Sequence, residues 1–171
     1  MNDMKRSDDE AKLVETARRV LPAGTFGNLA SDIVIREGRG PRVWDVSGNE
    51  YIDYLLGSGP MFAGHAHPEV NAAVSAQLAR GTTFFANNEH GIRLAAAIVD
   101  AVPCAEQVRF VSTGSEADLY AMRVARAFRK RDKILKFEGG YHGMSEYGLM
   151  SLAPKGLHNI PMATPHSGGI P

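Results

Sequence analysis

Residues 107–143 constrain the fold of this chain more than any other stretch. They contain an apolar run at 107–111, a helical pattern that ends near Phe128, and a second apolar run at 133–137. Strand, helix and strand within about this span form a βαβ unit, whose two strands run parallel. Ligands of open parallel sheets lie beyond the carboxyl ends of the strands, where both loops of this unit begin. If the strands pair directly they lie roughly 4.8 Å apart, so we expect both loops to face one crevice.

The first of these loops, residues 112–117, has the composition of an anion site. Gly114 lets the backbone approach a ligand closely, and Ser115 adds a hydroxyl donor at the positive end of the following helix. Serine and glycine before a helix are also ordinary capping chemistry, so phosphate binding and simple capping both stay open. Glu116 could touch a ligand, although an acid in a first helical turn needs no function to explain it. The Walker lysine and the G-x-G-x-x-G fingerprint are both missing.

The second loop carries Tyr141 and His142 directly after Gly139 and Gly140. The two glycines form a turn flexible enough to place the tyrosine over a flat ring, with a possible donor beside it. A tyrosine that only covers the end of the sheet is the alternative. The two loops together favour a ligand that has both a phosphate and an aromatic ring.

A metal site is the other interpretation that the histidines suggest. His65 and His67 alternate in a loop before a proline, which is poor geometry for two ligands of one ion, and no cysteine or acidic cluster accompanies them. We therefore expect no metal, and we assign His65 a structural place.

The first third of the chain has a different pattern, typical of one helix followed by short strands. Ser7 is expected to cap a helix with Glu10 as its capping-box partner, and short strand-like runs at 32–36, 42–46 and 51–56 predict a small antiparallel meander. The glycine-rich junction at 57–60 suggests a boundary between domains 1–58 and 59–171.

Three helices are expected after this junction. Pro68 begins the first, which Gly81 ends, and Asn88 or Asn87 caps the second. Ser115 and Asp118 are expected to form the capping pair of the third.

Composition bears on the partners and the cellular location to expect for this chain. The 171 residues include 19 acidic and 19 basic side chains, so nucleic acid and anionic membranes are not default partners. No apolar run approaches a membrane span, and the N-terminus lacks a signal-peptide core. The single cysteine fits a reducing cytoplasm.

Short motifs also follow one another in a fixed order from residue 21 onward. They are LPAG (21–24), WDV (44–46), GNEYIDY (48–54), GP (59–60), GHAHP (64–68), PCAEQVRF (103–110), TGSEA (113–117), RDKI (131–134), KFEG (136–139) and YHG (141–143). Through them the chain resembles the class III (omega-type) aminotransferases, a family dependent on pyridoxal 5'-phosphate (PLP). The resemblance implies the N-terminal part of an α/β fold type I transferase: a small antiparallel meander, then the start of a mainly parallel sheet with helices on both faces.

The resemblance also implies roles for particular residues. Gly114 and Ser115 would hold the cofactor phosphate with Glu116 near them, and Tyr141 would stack on the pyridine ring with His142 beside it. Ser58 stands where the glutamate-1-semialdehyde aminomutase branch has a tryptophan near the substrate, so we expect it to contact substrate. The substrates would be an amino acid or amine donor and a keto acid or aldehyde acceptor, and the full-length form would be a homodimer.

Two departures shape the expected function. Family members are far longer, and none of this chain's lysines matches the context of the Schiff-base lysine, so we expect a fragment that is inactive alone and has no catalytic residue of its own. The aminomutase branch also differs at 57–58 and at 25–30, which favours a general aminotransferase. An aminomutase-type isomerase and a non-catalytic binding or assembly remnant are the alternatives.

Overall fold

The computed structural model describes residues 5–27, 31–152 and 163–170. By packing, the chain divides into two units, Met1–Phe85 and Ala86–Pro171, each of which is described by itself. This division lies later than the domain boundary expected after residue 58, which stays a prediction. Residues 28–30, part of the segment that departs from the aminomutase branch, lie outside the described residues.

Among its described residues, the first unit contains one α-helix before its sheet and one after it. The elements are α1 (Asp8–Val20), a 3₁₀ turn (Pro22–Gly24), β1 (Ile35–Arg39), β2 (Arg42–Asp45), β3 (Glu50–Ile52), a second 3₁₀ turn (Leu56–Ser58) and α2 (Pro68–Leu78). The second unit contains α3 (Glu89–Ala101) and α4 (Gly114–Arg129).

Helix α1 begins where its sequence predicts. Ser7 is the N-cap, and its Oγ accepts a hydrogen bond from the Glu10 N–H at 3.3 Å. The expected capping box is wrong, because the Glu10 carboxylate does not return to Ser7. It is buried and accepts instead from the Val34 N–H at 3.0 Å and from the Ser47 hydroxyl. Glu10 therefore ties α1 to the start of the sheet and to the β2–β3 turn.

The predicted meander forms one three-stranded sheet in the order β1-β2-β3, with both pairings antiparallel. Its strands are displaced from the predicted runs: β1 starts at Ile35 and β3 ends at Ile52. The third strand ends at Ile52. The Asp53 N–H still donates to the Pro41 carbonyl at 2.8 Å, but Pro41 has no N–H to return the bond, and the Asp53 side chain then begins a turn.

Asp45 closes the turn between β2 and β3. Its buried carboxylate accepts hydrogen bonds from the Asn49 N–H at 2.8 Å, the Asn49 side-chain amide at 2.7 Å and the Tyr51 hydroxyl at 2.7 Å. Burial by itself raises the pKa of Asp45, but the hydrogen bonds to the ionised form outweigh it and keep the pKa below its usual value. Burial and the neighbouring Asp45 carboxylate raise the pKa of Tyr51 to about 12.

Helices α2 and α3 confirm the expected helix signals. Pro68 is the first residue of α2, and Gly81 takes a left-handed φ of +96° just after this helix. Asn88 caps α3, with its side chain accepting from the Gly91 N–H at 2.8 Å. Among the described residues, no helix combines the length and the apolar character that a membrane crossing requires.

The helix of the expected βαβ unit is present as α4, but its two strands are not. Within the described residues the only sheet is the three-stranded one, so the direct pairing of 107–111 with 133–137 is wrong. Strands need ladder partners, and side chains of the second segment remain open to solvent, with Leu135 97% and Phe137 86% exposed. The cap of α4 also differs from the expectation, because Thr113 and Glu116 provide it rather than Ser115 and Asp118.

Candidate functional site

The site is built on the first turn of α4. Thr113 Oγ1 accepts from the Glu116 N–H at 3.1 Å, and Glu116 Oε2 accepts from the N–H groups of Ser112 at 2.7 Å and Thr113 at 3.1 Å. This complete capping box fixes the loop before the helix. The Glu116 carboxylate is therefore engaged by backbone donors, and its contact with a ligand stays a prediction.

Gly114 and Ser115, the first two residues of α4, leave donors free. Helix geometry gives their N–H groups no intrahelical partner, and no other partner for them occurs among the described residues. A Cβ built on Gly114 would meet nothing within 4 Å, so the space on the side-chain side of this Cα is open. Two backbone donors, one hydroxyl and the positive end of a 16-residue helix suit an anion such as phosphate.

The second loop reaches this helix start. Ser115 Oγ accepts a hydrogen bond from the Met144 N–H at 3.0 Å. Gly143 lies closer still: a Cβ on it would stand 2.6 Å from the Ser115 Cα and 2.8 Å from its Oγ. Because Gly143 also has a φ of +82°, only glycine fits here without strain. The expected convergence of the two loops is thus present, although it arises from this contact rather than from strand pairing.

The second loop is anchored on its far side by Lys136. Its Nζ donates to the carbonyls of Gly148, at 3.2 Å, and Met150. The Gly139 N–H also donates to the Ser151 carbonyl at 2.8 Å, and Ser151 is buried. The amine of Lys136 therefore has a structural use here.

Tyr141 and His142 lie on the loop in different environments. The Tyr141 side chain is 57% exposed, which leaves area on which a flat ring could stack. His142 is half-buried and lines a cavity of about 280 Å³ with α4 residues such as Asp118 and Met122. Its Nε2 would stand 2.8 Å from a Cβ on Gly140, so a side chain at 140 would push the ring aside.

Ser58, the expected substrate contact, lies in the first unit. It belongs to a run of four residues with left-handed backbone: Leu56 (φ +49°), Gly57 (+64°), Ser58 (+66°) and Gly59 (+111°). We call this run the left-handed loop, residues 56–59. Left-handed backbone costs an L-residue roughly 1–2 kcal/mol, so Leu56 and Ser58 require support from their surroundings.

The Asp53 and His65 side chains form a hydrogen-bonded pair next to this loop. His65 Nε2 lies 2.7 Å from Asp53 Oδ2, and both side chains are largely buried, 23% and 16% exposed respectively. The hydrogen bond from His65 and those from the N–H groups of Leu56 and Leu55 hold the pKa of Asp53 below its usual value, against the opposing effect of burial. The structural place expected for His65 agrees with this pairing. No group of three or more His, Cys, Asp or Glu side chains suited to a metal ion occurs among the described residues.

Sequence reasoning missed Met144, Lys136 and Asp53. Met144 acts through its backbone N–H, for which a sequence carries no signal. Lys136 and Asp53 act through contacts that depend on the path of the loops. Asp53 alone had an available signal, because an aspartate side chain in a turn often accepts the backbone N–H two residues further along the chain.

The sequence model of the family described as "Aminotransferase class-III" matches residues 26–167. A glutamate-1-semialdehyde 2,1-aminomutase of Sulfurihydrogenibium azorense is 46% identical over 151 residues, which cover 88% of this chain and 35% of that protein.

Solved structures of transaminases superpose on this chain. An omega-transaminase from Sphaerobacter thermophilus superposes with a TM-score of 0.90 at 36% identity, over 98% of this chain and 40% of that one. A transaminase with PLP bound superposes with a TM-score of 0.88 at 33% identity, with the same coverage. The chain thus spans about two-fifths of the length of these relatives, and the superpositions confirm the predicted fold class.

Proposed function

We propose, from the premise that this chain belongs to the aminotransferase class-III family, that it forms the phosphate- and ring-binding part of a PLP-dependent aminotransferase. The observation that carries the proposal is the meeting of two loops at Ser115, where free helix-start donors adjoin the loop of Tyr141. The family is one of enzymes, and the predicted resemblance to it is confirmed.

The residues present suit the phosphate of PLP. A phosphate dianion needs several donors, and the N–H groups of Gly114 and Ser115 with the Ser115 hydroxyl supply three. Because the Met144 N–H occupies a lone pair of Ser115 Oγ, the hydroxyl proton remains available to an external oxygen. Glu116 supports this geometry by holding the N–H groups of Ser112 and Thr113.

The second loop suits the ring. Tyr141 would stack on the pyridine face, where aromatic pairs gain about 0.5–1.5 kcal/mol beyond their burial. His142 would border the ring from its half-buried position. The role of these two side chains is therefore orientation of the cofactor.

When bound, PLP supplies an electron sink for the amino-bearing carbon of the substrate. Residues of this chain bind and orient it, and we propose that Ser58 contacts the substrate. The substrates would be an amino acid or amine donor and a keto acid or aldehyde acceptor. No lysine of this chain is assigned the Schiff-base role, and the amine of Lys136 is engaged by two backbone carbonyls.

An aminomutase-type isomerase is the second candidate. It is favoured by the 46% identity to the Sulfurihydrogenibium azorense protein, whose name describes that reaction. The departures at 57–58 and 25–30 favour the aminotransferase. Product analysis separates the two, because an isomerase returns its amino group to the same carbon skeleton. Assembly as a homodimer in the cytoplasm is part of the proposal for the whole enzyme.

The experiment is a titration of the chain with PLP, followed by the cofactor absorbance band. Pyridoxal, which lacks the phosphate, is the control for adventitious adducts with surface lysines. Both affinities are expressed per free aldehyde, because the 5'-hydroxyl of pyridoxal closes on its own aldehyde and that of PLP cannot. We expect saturable binding of PLP at least about tenfold tighter than that of pyridoxal, since charge-assisted hydrogen bonds contribute about 1.5–3 kcal/mol each. Equal affinities would show that the phosphate site is misplaced.

A further inference from the structure

We propose that Asp53 and His65 are positioning residues that hold the left-handed loop, and with it Ser58, in its observed conformation. That this conformation serves substrate binding rests on the proposed function. That Asp53 and His65 stabilise the loop rests only on contacts within the first unit.

Asp53 is the centre of these contacts. Its Oδ1 accepts hydrogen bonds from the N–H groups of Leu55 and Leu56, both at 2.9 Å. Leu56 is the residue at which the backbone turns left-handed. The other carboxylate oxygen, Oδ2, lies 2.7 Å from His65 Nε2. An ionised carboxylate only accepts, so the ring nitrogen is the donor.

His65 links this arrangement to the sheet. Its N–H donates to the Gly40 carbonyl and its carbonyl accepts from the Gly40 N–H, both at 2.9 Å. Its ring lies against Gly38 of β1, where a Cβ would come within 2.6 Å of the ring carbon Cγ. The sheet thus fixes His65, His65 fixes the Asp53 carboxylate, and the carboxylate fixes the start of the loop.

The internal hydrogen bonds of the loop do not explain its conformation. The N–H groups of Gly59 and Met61 both donate to the Leu56 carbonyl, at 3.1 Å each. These bonds close a turn, but the left-handed backbone at Leu56 and Ser58 is unfavourable for any L-residue. Stabilising contacts from outside the loop are therefore required, and the hydrogen bonds to the Asp53 carboxylate provide them.

Hydrogen exchange measured by mass spectrometry on the whole 171-residue chain tests this proposal without cofactor or substrate. Asp53→Ala should raise exchange in peptides covering 54–62 by about tenfold, because the N–H groups of Leu55 and Leu56 lose their acceptor. Asp53→Asn keeps Oδ1 as an acceptor, so its effect should be smaller. Asp32→Asn, which removes an aspartate of an exposed ion pair with Arg18, is the control and should change nothing in this segment.

Two variants of His65 distinguish a role as hydrogen-bond donor from a role as a ring that only fills space. His65→Ala should accelerate exchange in 54–62, and His65→Gln, whose amide can donate near the same place, should restore part of the protection.

Unchanged exchange in Asp53→Ala overturns the proposal, as does equal exchange in His65→Gln and His65→Ala. If Asp53→Ala also accelerates 42–52, the unit has unfolded and the two His65 variants decide alone. Failure of the PLP titration with normal protection here would instead count against the proposed function only.

Discussion

The Met144 N–H donates a hydrogen bond to Ser115 Oγ across 29 positions of the chain, at 3.0 Å. The bond joins the loop of Tyr141 and His142 to the start of α4. It also orients the Ser115 hydroxyl, because one lone pair of the oxygen is taken and the proton is left to point away. A single backbone donor thereby connects the two parts of the proposed cofactor site.

Gly143 allows this contact, so its replacement should damage the site. Gly143→Ala would place a methyl group 2.6 Å from the Ser115 Cα, and at a φ of +82° it would also strain the backbone. We expect the loop to shift, the Met144–Ser115 bond to break and PLP affinity to fall about tenfold or more, as absorbance titration would measure.

Gly168→Ala is the matched control for this variant. A Cβ at Gly168 meets nothing within 4 Å, and no left-handed φ is involved. It should bind PLP as the wild type does. Wild-type affinity in Gly143→Ala would mean that the contact between the loops does not organise the site.

The capping box of α4 should contribute measurably to stability. Thr113→Ala removes the N-cap acceptor of the Glu116 N–H and should lower the free energy of unfolding by about 1 kcal/mol. Thr113→Ser keeps the hydroxyl and should lose much less. Urea denaturation of the three proteins checks this, and an equal loss in both variants would point to the threonine methyl group instead.

The sequence predicted helix ends well where a single local signal was present. Ser7 and Pro68 each stand at the helix start they were assigned, and Asn88 rather than the alternative Asn87 caps α3. At α4 two overlapping signals competed, Thr113 with Glu116 and Ser115 with Asp118. A glutamate side chain is long enough to reach back to the N–H of the N-cap, whereas an aspartate side chain is shorter, so the pair of Thr113 and Glu116 forms the cap. This difference in side-chain length could have been used on the sequence alone.

Strand predictions were reliable only where the partner was near in sequence. The runs at 32–36, 42–46 and 51–56 each overlap a strand of the sheet, because short turns bring these strands together. The run at 133–137 has the same apolar character but no ladder partner among the described residues. The convergence of the two loops was predicted from strands that do not pair in the described residues, and it arises instead from the Met144 backbone donor, for which the sequence carries no signal.

The turn around Asp45 should make stability depend on pH at both extremes. The folded pKa of Asp45 is lowered, so its stabilisation is present above the unfolded value and is lost as the pH falls through the folded pKa. The folded pKa of Tyr51 is raised to about 12 from 10.0, so its stabilisation is complete below pH 10 and is lost as the pH rises toward 12.

Tyr51→Phe isolates the alkaline part of this behaviour. The variant lacks the ionising hydroxyl, so its free energy of unfolding should fall less than that of the wild type between pH 10 and 12. Denaturant titrations across this range measure the difference. Parallel pH profiles in the two proteins would contradict the assignment to Tyr51.

The phosphate site itself is tested by four variants of the chain titrated with PLP. Ser115→Ala should weaken binding about 10- to 150-fold, because a charge-assisted hydrogen bond of about 1.5–3 kcal/mol is lost. Tyr141→Ala should weaken it less and shift the absorbance band. His65→Ala should leave affinity nearly unchanged, since His65 pairs with Asp53.

Ser145→Ala completes the set as the matched control. Ser145 Oγ also accepts a backbone N–H of the second loop, from Gly148 at 3.2 Å, but it is not on the helix start. The decisive measurement is the ratio of the PLP dissociation constants of Ser115→Ala and Ser145→Ala. We predict a ratio of about ten or more, whereas equal constants, or weaker binding by His65→Ala than by Ser115→Ala, would contradict a phosphate site at Gly114 and Ser115.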